Sequence, residues 1–274
     1  MTRDSSGAAL ETLIVPRTRD LGDGFAVRRA LPSTQRRMGG LSYSSTKWVR
    51  RCCAAAGLST FRRIRISASP RSLICSMEKS CTATAWVMCS RSGAVNWMIA
   101  GSGIVHSECT PPELRAARES RLFGIQTWVA LPKSREEAEP GFAHHGQNAL
   151  PMIEGEGKRV RLIAGSLYGA RAPVEVFSDM FYADAALSDA ARLELSAEHE
   201  ERAIYLAEGH IKIAGDGFDA GRLLVIQGGA AVVVEALGAA RLMLFGAEPM
   251  DGQRHVWWNF VSSSVERIEQ AKAD

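Results

Sequence analysis

GAVNWMIAGSGIVHSE, residues 93–108, is the stretch on which the reading of this chain turns. It begins at a glycine and runs apolar through Val95, Trp97 and Ile99. It breaks at Gly101-Ser102-Gly103 and resumes at Ile104-Val105-His106, followed by Ser107 and Glu108. The pattern predicts a strand on each side of a glycine turn. If 104–108 is extended, His106 and Glu108 are two positions apart and share a face. One imidazole and one carboxylate on one face of a strand make half of a metal site. The same pair also occurs at solvated rims, and on spacing alone the rim is the commoner case.

A chain of 274 residues can bury one large core or two modest ones. A hydrophobic share of 46% and a charged share of 23% are those of an ordinary globular protein. The opening MTRDSSGAALETLIVP carries charge and no long apolar run, so no signal peptide is expected. Nowhere is an apolar run long enough to span a bilayer. The expectation is a cytoplasmic protein without a membrane partner.

The net charge of +3 conceals an asymmetry. Residues 39–92 hold nine basic side chains and one acid, Glu78, and so carry +8, which leaves −5 for the rest of the chain. A basic footprint for nucleic acid would have to lie wholly in that window, and no direct nucleic-acid binding is expected. Five of the six cysteines (Cys52, Cys53, Cys75, Cys81 and Cys89) are in the window as well, and only Cys109 is outside. They form no CxxC pair, so they do not suggest zinc, and a reducing compartment disfavours disulfides.

From about Phe142 the chain reads as short strands punctuated by glycine. The candidates are VRLIAG, VEVFSDMFYAD, ARLELS, AIYLAEG, HIKIAG, RLLVIQGG, AAVVVEA and RLMLFG. Such spacing predicts a sandwich or barrel. Ser264 is placed to cap a final helix, Val265 to Ala273, with Glu266 early and Lys272 late to suit the helix dipole. GDG and QGG neither follow a strand nor open a helix, so a nucleotide loop is discarded.

GAVNWMIAGSGIVHSE resembles the second metal-binding stretch of the pirin family. Several other stretches resemble pirins too: TLIVPRTRDLGDGFAVRRALPS at 12–33, FGIQTWVALP at 123–132, VRLIAGSLYGARAPV at 160–174, ERAIYLAEGHIKI at 201–213 and WWNFVSSSVERIEQAKAD at 257–274. The resemblance covers 12–38 and 93–274. It implies an all-β double cupin, two jelly-roll β-barrels with a C-terminal helix, divided as 1–138 and 139–274. It also implies one divalent metal, usually iron, held in the N-terminal barrel by three histidines and a glutamate. His106 and Glu108 match two of those ligands, and Glu108 is additionally a candidate base. The second barrel of pirins generally lacks ligands, in keeping with the absence of any His-x-His here. The implied activity is oxygen-dependent dioxygenation of a flavonol such as quercetin, with the metal holding substrate and dioxygen together. The alternative the family offers is a redox-sensitive regulator that binds a protein partner.

Residues 39–92 do not read like a barrel. Three accounts compete: a disordered basic insertion, a novel module, or a translation in the wrong frame. The genetic code separates them. Read from the third base of Ile74 with suitable synonymous codons, ICSMEKSCTATAWV at 74–87 becomes LFDGEIMHRDSLG. At the same offset RIRIS at 63–67 becomes HPHIG, and the residues between give LATVTY. GGLSYSSTKWVRR at 39–51 makes GPFVFFDQMGP available. One offset serves every segment, and the resulting strings resemble the pirin N-terminal core in order. The missing His-Pro-His would then lie across Arg63 to Arg65. The expectation is therefore a frameshifted window, opened near Met38 and closed near Ser92, that leaves a metal-poor, inactive product of its gene. Little regular sheet is expected within 39–92. The strands around Trp97, Ile104 and Phe123 to Val129 are expected to lack partners. The C-terminal barrel is expected to fold by itself.

The remaining histidines read as structural. His144 and His145 are adjacent and face opposite ways in extended chain. His199 lies in the charged run SAEHEER, His210 in a hairpin after Gly209, and His255 before VWWNF.

Overall fold

The computed structural model describes residues 9–20, 26–31, 47–52, 78–80, 84–90, 94–106, 121–257 and 260–273. The strands of the first half are β1 (Leu10–Ile14), β2 (Arg17–Asp20), β3 (Ala26–Arg29), β4 (Lys47–Cys52), β5 (Glu78–Ser80), β6 (Thr84–Ser90), β7 (Val95–Ile99), β8 (Ile104–His106), β9 (Arg121–Ala130) and β10 (Gly141–His145). The second half continues with β11 (Met152–Gly155), β12 (Lys158–Leu167), β13 (Ala170–Arg171), β14 (Met180–Leu187), β15 (Arg192–Leu195), β16 (Glu201–Glu208), β17 (His210–Ile213) and β18 (Asp216–Asp219). It closes with β19 (Arg222–Ile226), β20 (Val232–Ala236), β21 (Ala240–Ala247), β22 (His255–Trp257) and β23 (Phe260–Ser262), then helix α1 (Val265–Ala273).

The chain forms two compact units and exchanges its ends between them. One unit is Met1–Pro16, Ala30–Ser45 and His144–Met250; the other is Arg17–Arg29, Thr46–Ala143 and Asp251–Asp274. The exchange itself was not anticipated: β1 pairs with β19, Ile14 opposite Leu223, within the unit built on 144–250.

That unit faces a larger sheet, β1-β19-β16-β21-β14-β12-β11, with a four-stranded sheet, β15-β20-β17-β18. Leu193, Ile211 and Val234 from the small sheet meet Leu162, Ile204, Leu224 and Leu244 from the large one in a single core. β15 and β17 alternate buried and exposed residues, as strands with one face on a core must. Three hairpins turn on a residue and a glycine that both have positive φ: Glu156-Gly157, Tyr168-Gly169 and Ala214-Gly215. Two positive-φ residues match the natural twist of paired strands, which is why these loops need only two residues. The third of them creates β18, a strand hidden in the glycine-rich GDGFD that reads in sequence as punctuation. The predicted strand VEVFSDMFYAD is also trimmed. It starts only at Met180, because Pro173 has no amide to donate and the chain bends through Ser178-Asp179 before it joins the sheet.

The other unit is built on the sheet β10-β7-β6-β9-β4-β3-β2, with β5 paired to β8 apart from it. Within 39–92 the structure describes β4, β5 and β6. One expectation is corrected there: the flanking strands do not lack partners, since β7 pairs with β6, β8 with β5, and β9 with both β4 and β6. The physical reason is local. KWVRRC and TAWVMCS each contain a tryptophan followed by a valine, residues suited to a pleated surface, and β9 presents ten residues along which both can register. The rest of the window, with Arg63 to Arg65, lies outside the described residues.

Helix α1 runs over the predicted Val265–Ala273 and buries Ile268 and Ala271 against Phe260. Ser264 caps it: the Arg267 amide donates to Ser264 Oγ at 3.1 Å, and Ser264 Oγ donates to Glu266 at 2.7 Å. That second bond holds the Glu266 carboxyl below the usual carboxylate range. Ser264→Ala is expected to cost about 1 kcal/mol, read as a shift in the denaturant midpoint at unchanged slope.

Candidate metal centre

β8 ends at His106, and in the β5–β8 ladder the residue opposite His106 is Glu78. Glu108 lies outside the described residues, so the structure places one of the two predicted ligands. Among the described residues no group of three or more His, Cys, Asp or Glu could hold a metal ion. His144 and His145 alternate on β10, exposed and half-buried. His199 is buried edge-on against Phe181, with Asp179 at 3.5 Å. His210 is exposed on β17, 3.4 Å from Asp219 on β18. His255 is half-buried on β22. The chain as written offers one imidazole and one carboxylate, with Arg-Ile-Arg at 63–65 where the resemblance requires two more imidazoles. A guanidinium is always protonated and has no lone pair to give. The residues present do not fit the four-ligand site.

What the structure does resolve is how β8 is aimed. β7 is buried at Val95, Trp97, Met98 and Ile99, and Ala100 just beyond it is buried too. The chain then leaves the seven-stranded sheet through a tight turn, with the Gly103 amide donating to the Ala100 carbonyl at 2.8 Å. Gly101 has φ +50, and a Cβ there would lie 1.9 Å from the Ala138 carbonyl oxygen. Only glycine permits that approach. Gly101→Ala should therefore destabilise this unit by about 2–3 kcal/mol, measurable by chemical denaturation. Both backbone polar groups of Ser102 are engaged. Its amide donates to the Ala138 carbonyl at 2.9 Å, and its carbonyl accepts from Arg267 Nη2 at 3.0 Å. Arg267 Nε in turn donates to Glu137 Oε1 at 2.9 Å.

A second anchor fixes the C-terminal segment. Arg254 is fully buried, and its Nε lies 2.7 Å from Glu136 Oε1, close enough for an ion pair though not aligned as a hydrogen bond. Arg254 Nη2 donates to the Leu131 carbonyl and to Asp251, and Nη1 donates to the Gly252 carbonyl. Glu136 also accepts from the Ser263 amide at 3.0 Å and its hydroxyl at 2.9 Å. Asp251's partial burial works to raise its carboxyl, but the hydrogen bonds from Arg254 and the Lys133 amide outweigh it and hold the group below the usual carboxylate range. None of these anchors was legible in sequence, since Arg254 and Leu131 are 123 positions apart and Arg267 and Glu137 are 130 apart.

Comparison with known proteins bears on the family. The family model described as pirin matches residues 85–129, and the pirin C-terminal cupin domain matches 182–274. A Pseudomonas aeruginosa protein, provisionally named a quercetin 2,3-dioxygenase, is 30% identical over 94% of this chain and 81% of its own length. The chain belongs to the pirin family. A pirin-like protein of Caulobacter vibrioides is 46% identical over 183 residues, 66% of this pirin and 62% of that protein's length. The crystal structure of quercetin 2,3-dioxygenase from Acinetobacter baumannii superposes with a TM-score of 0.74 at 22% identity, covering 96% of this chain and 87% of that one. The bacterial pirin YhhW from Escherichia coli, solved in complex with nickel(II), superposes at 0.58 and 17% identity, covering 87% and 99%. The fold of this pirin is the all-β double cupin. The first family match begins inside the 39–92 window and takes in β6, so the window's last residues carry more resemblance than the sequence reading gave them.

Proposed function

We propose that this pirin derives from an oxygen-dependent dioxygenase of the quercetin 2,3-dioxygenase type, acting on a flavonol or similar small aromatic with one divalent metal, and that the written chain is inactive. The observation that carries the reading is the donor set. His106 and Glu108 match the family's second ligand stretch, His106 lying on β8 beyond the turn at Ser102, while the first stretch reads Arg-Ile-Arg. The family's naming supports the substrate class, and the nickel(II) complex of the E. coli relative supports a metal in this fold. The frame argument supplies a cause: codons synonymous with the written residues, read at one offset, would encode His-Pro-His.

The test begins by resequencing the gene across codons 38 to 93. Oxygen uptake with quercetin is then measured on the written chain and on a chain carrying the other-frame translation. Uptake by the second alone supports the reading. Equal uptake by both, or by neither when metal is bound, overturns it.

A further inference from the structure

We propose that a cleft on the outer face of the four-stranded sheet binds a small organic carboxylate that also carries a hydroxyl. The site is separate from the candidate metal centre and does not rest on the proposed activity. The cleft has a volume of about 430 Å³ and is bounded by β15, β17, β20 and the turn after β17. That volume falls in the range of ligand pockets.

Strand alternation builds the cleft. The core takes every second residue of β15 and β17, which leaves Arg192 and Lys212 facing outward. β20 runs between those two strands, and its half-buried Glu235 stands opposite Arg192 on one side and Lys212 on the other. Two residues back along the same face, Val233 is 37% exposed. The Ala214-Gly215 turn continues from it. The floor is thus apolar and made of small side chains, and the rim holds two cations and one carboxylate in a single row.

Charge decides what fits. Opposite charges directly across neighbouring strands attract and commonly close on one another. Here, among the described residues, Arg192, Lys212 and Glu235 make no side-chain ion pair or hydrogen bond. Lys158 Nζ reaches this row at 3.5 Å, but it donates to the Arg192 backbone carbonyl and leaves the guanidinium free. Glu194 and Asp216 lie near but do not line the cleft. The rim therefore carries one net positive charge, on a chain whose residues outside 39–92 sum to −5. A guanidinium can grip a carboxylate through two parallel bonds, and Lys212 adds a point charge. Glu235 accepts from a ligand hydroxyl and repels a second anionic group. A singly charged hydroxy-carboxylate with an apolar body satisfies the rim and the floor together.

The test titrates the full chain with 4-hydroxybenzoate, with its neutral methyl ester and with inorganic phosphate, following backbone amide shifts by NMR. The acid is expected to move the amides of 192, 212–215 and 231–235 saturably, and to bind at least about tenfold more tightly than either control. Arg192→Gln and Lys212→Gln should each weaken it about tenfold. Glu235→Gln should improve phosphate relative to the acid, and Glu194→Gln should do nothing. All four positions are on the outer face, so the denaturation midpoint should hold and report that each variant is folded. Shifts that do not saturate, phosphate or ester bound as tightly as the acid, or an affinity unmoved in both cation variants would each overturn the proposal and leave the row an ordinary solvated face.

Discussion

Replacing residues 39–92 with the other-frame translation is expected to raise bound metal from a small fraction of an equivalent to about one per chain. The argument is one of donor count. The written chain brings His106 and Glu108 to the site by resemblance, and two donors leave both affinity and geometry undetermined. Two further imidazoles complete a set of three nitrogens and one carboxylate oxygen, suited to iron or nickel. Arg63 and Arg65 cannot stand in, because their guanidiniums carry positive charge toward any cation and offer it nothing. The measurement is elemental analysis of both proteins after incubation with iron(II) or nickel(II) and desalting. Stoichiometric metal on the written chain would sink the account. In the repaired chain His106→Ala should lower affinity at least about tenfold. If it does not, His106 is not a ligand even though its strand is in place.

The parts of the fold legible in sequence were those set by short-range pattern. The β15 and β17 alternations, the glycine corner at 101–103 and the capped helix at 265–273 all follow from periodicity and turn chemistry. β18 and the two-residue hairpins were less legible, since Ala214 and Tyr168 occupy positive φ where asparagine or glycine would have announced the turn. β4 and β6 were missed for a different reason. Their sequences were judged as parts of a basic, cysteine-rich window rather than as six or seven residues that a well-patterned β9 could recruit. Of the candidate site, His106 and Glu108 were read from a local motif; His106 falls on β8, and Glu108 lies outside the described residues. The bonds that hold the corner before β8 were invisible, because Arg267 and Glu137 are ordinary surface-type residues until the fold brings them to Ser102.

Arg254→Leu is expected to destabilise the unit that contains α1 by about 3 kcal/mol or more. The substitution leaves Glu136 buried without its cation and removes donors from the Leu131 and Gly252 carbonyls. Burying the leucine returns only about 1.5–3 kcal/mol, and each orphaned carbonyl costs about 1–3 kcal/mol, so the apolar gain does not offset the loss. Adding Glu136→Gln should recover about 1–2 kcal/mol, since the buried charge is then gone. Acid supplies an independent check. Asp251 is held below the usual carboxylate range in the folded chain, so its contribution is present above its unfolded value and is lost as pH falls through the folded one. Arg254 supplies a hydrogen bond and charge that hold it there, so Arg254→Leu should flatten the stability decline below about pH 4. Denaturation followed by tryptophan fluorescence at neutral and acid pH reads both effects. A cost under about 1 kcal/mol with an unchanged acid slope would mean that the apolar contacts of Ile268, Ala271 and Phe260, not the buried guanidinium, hold the C-terminal segment in place.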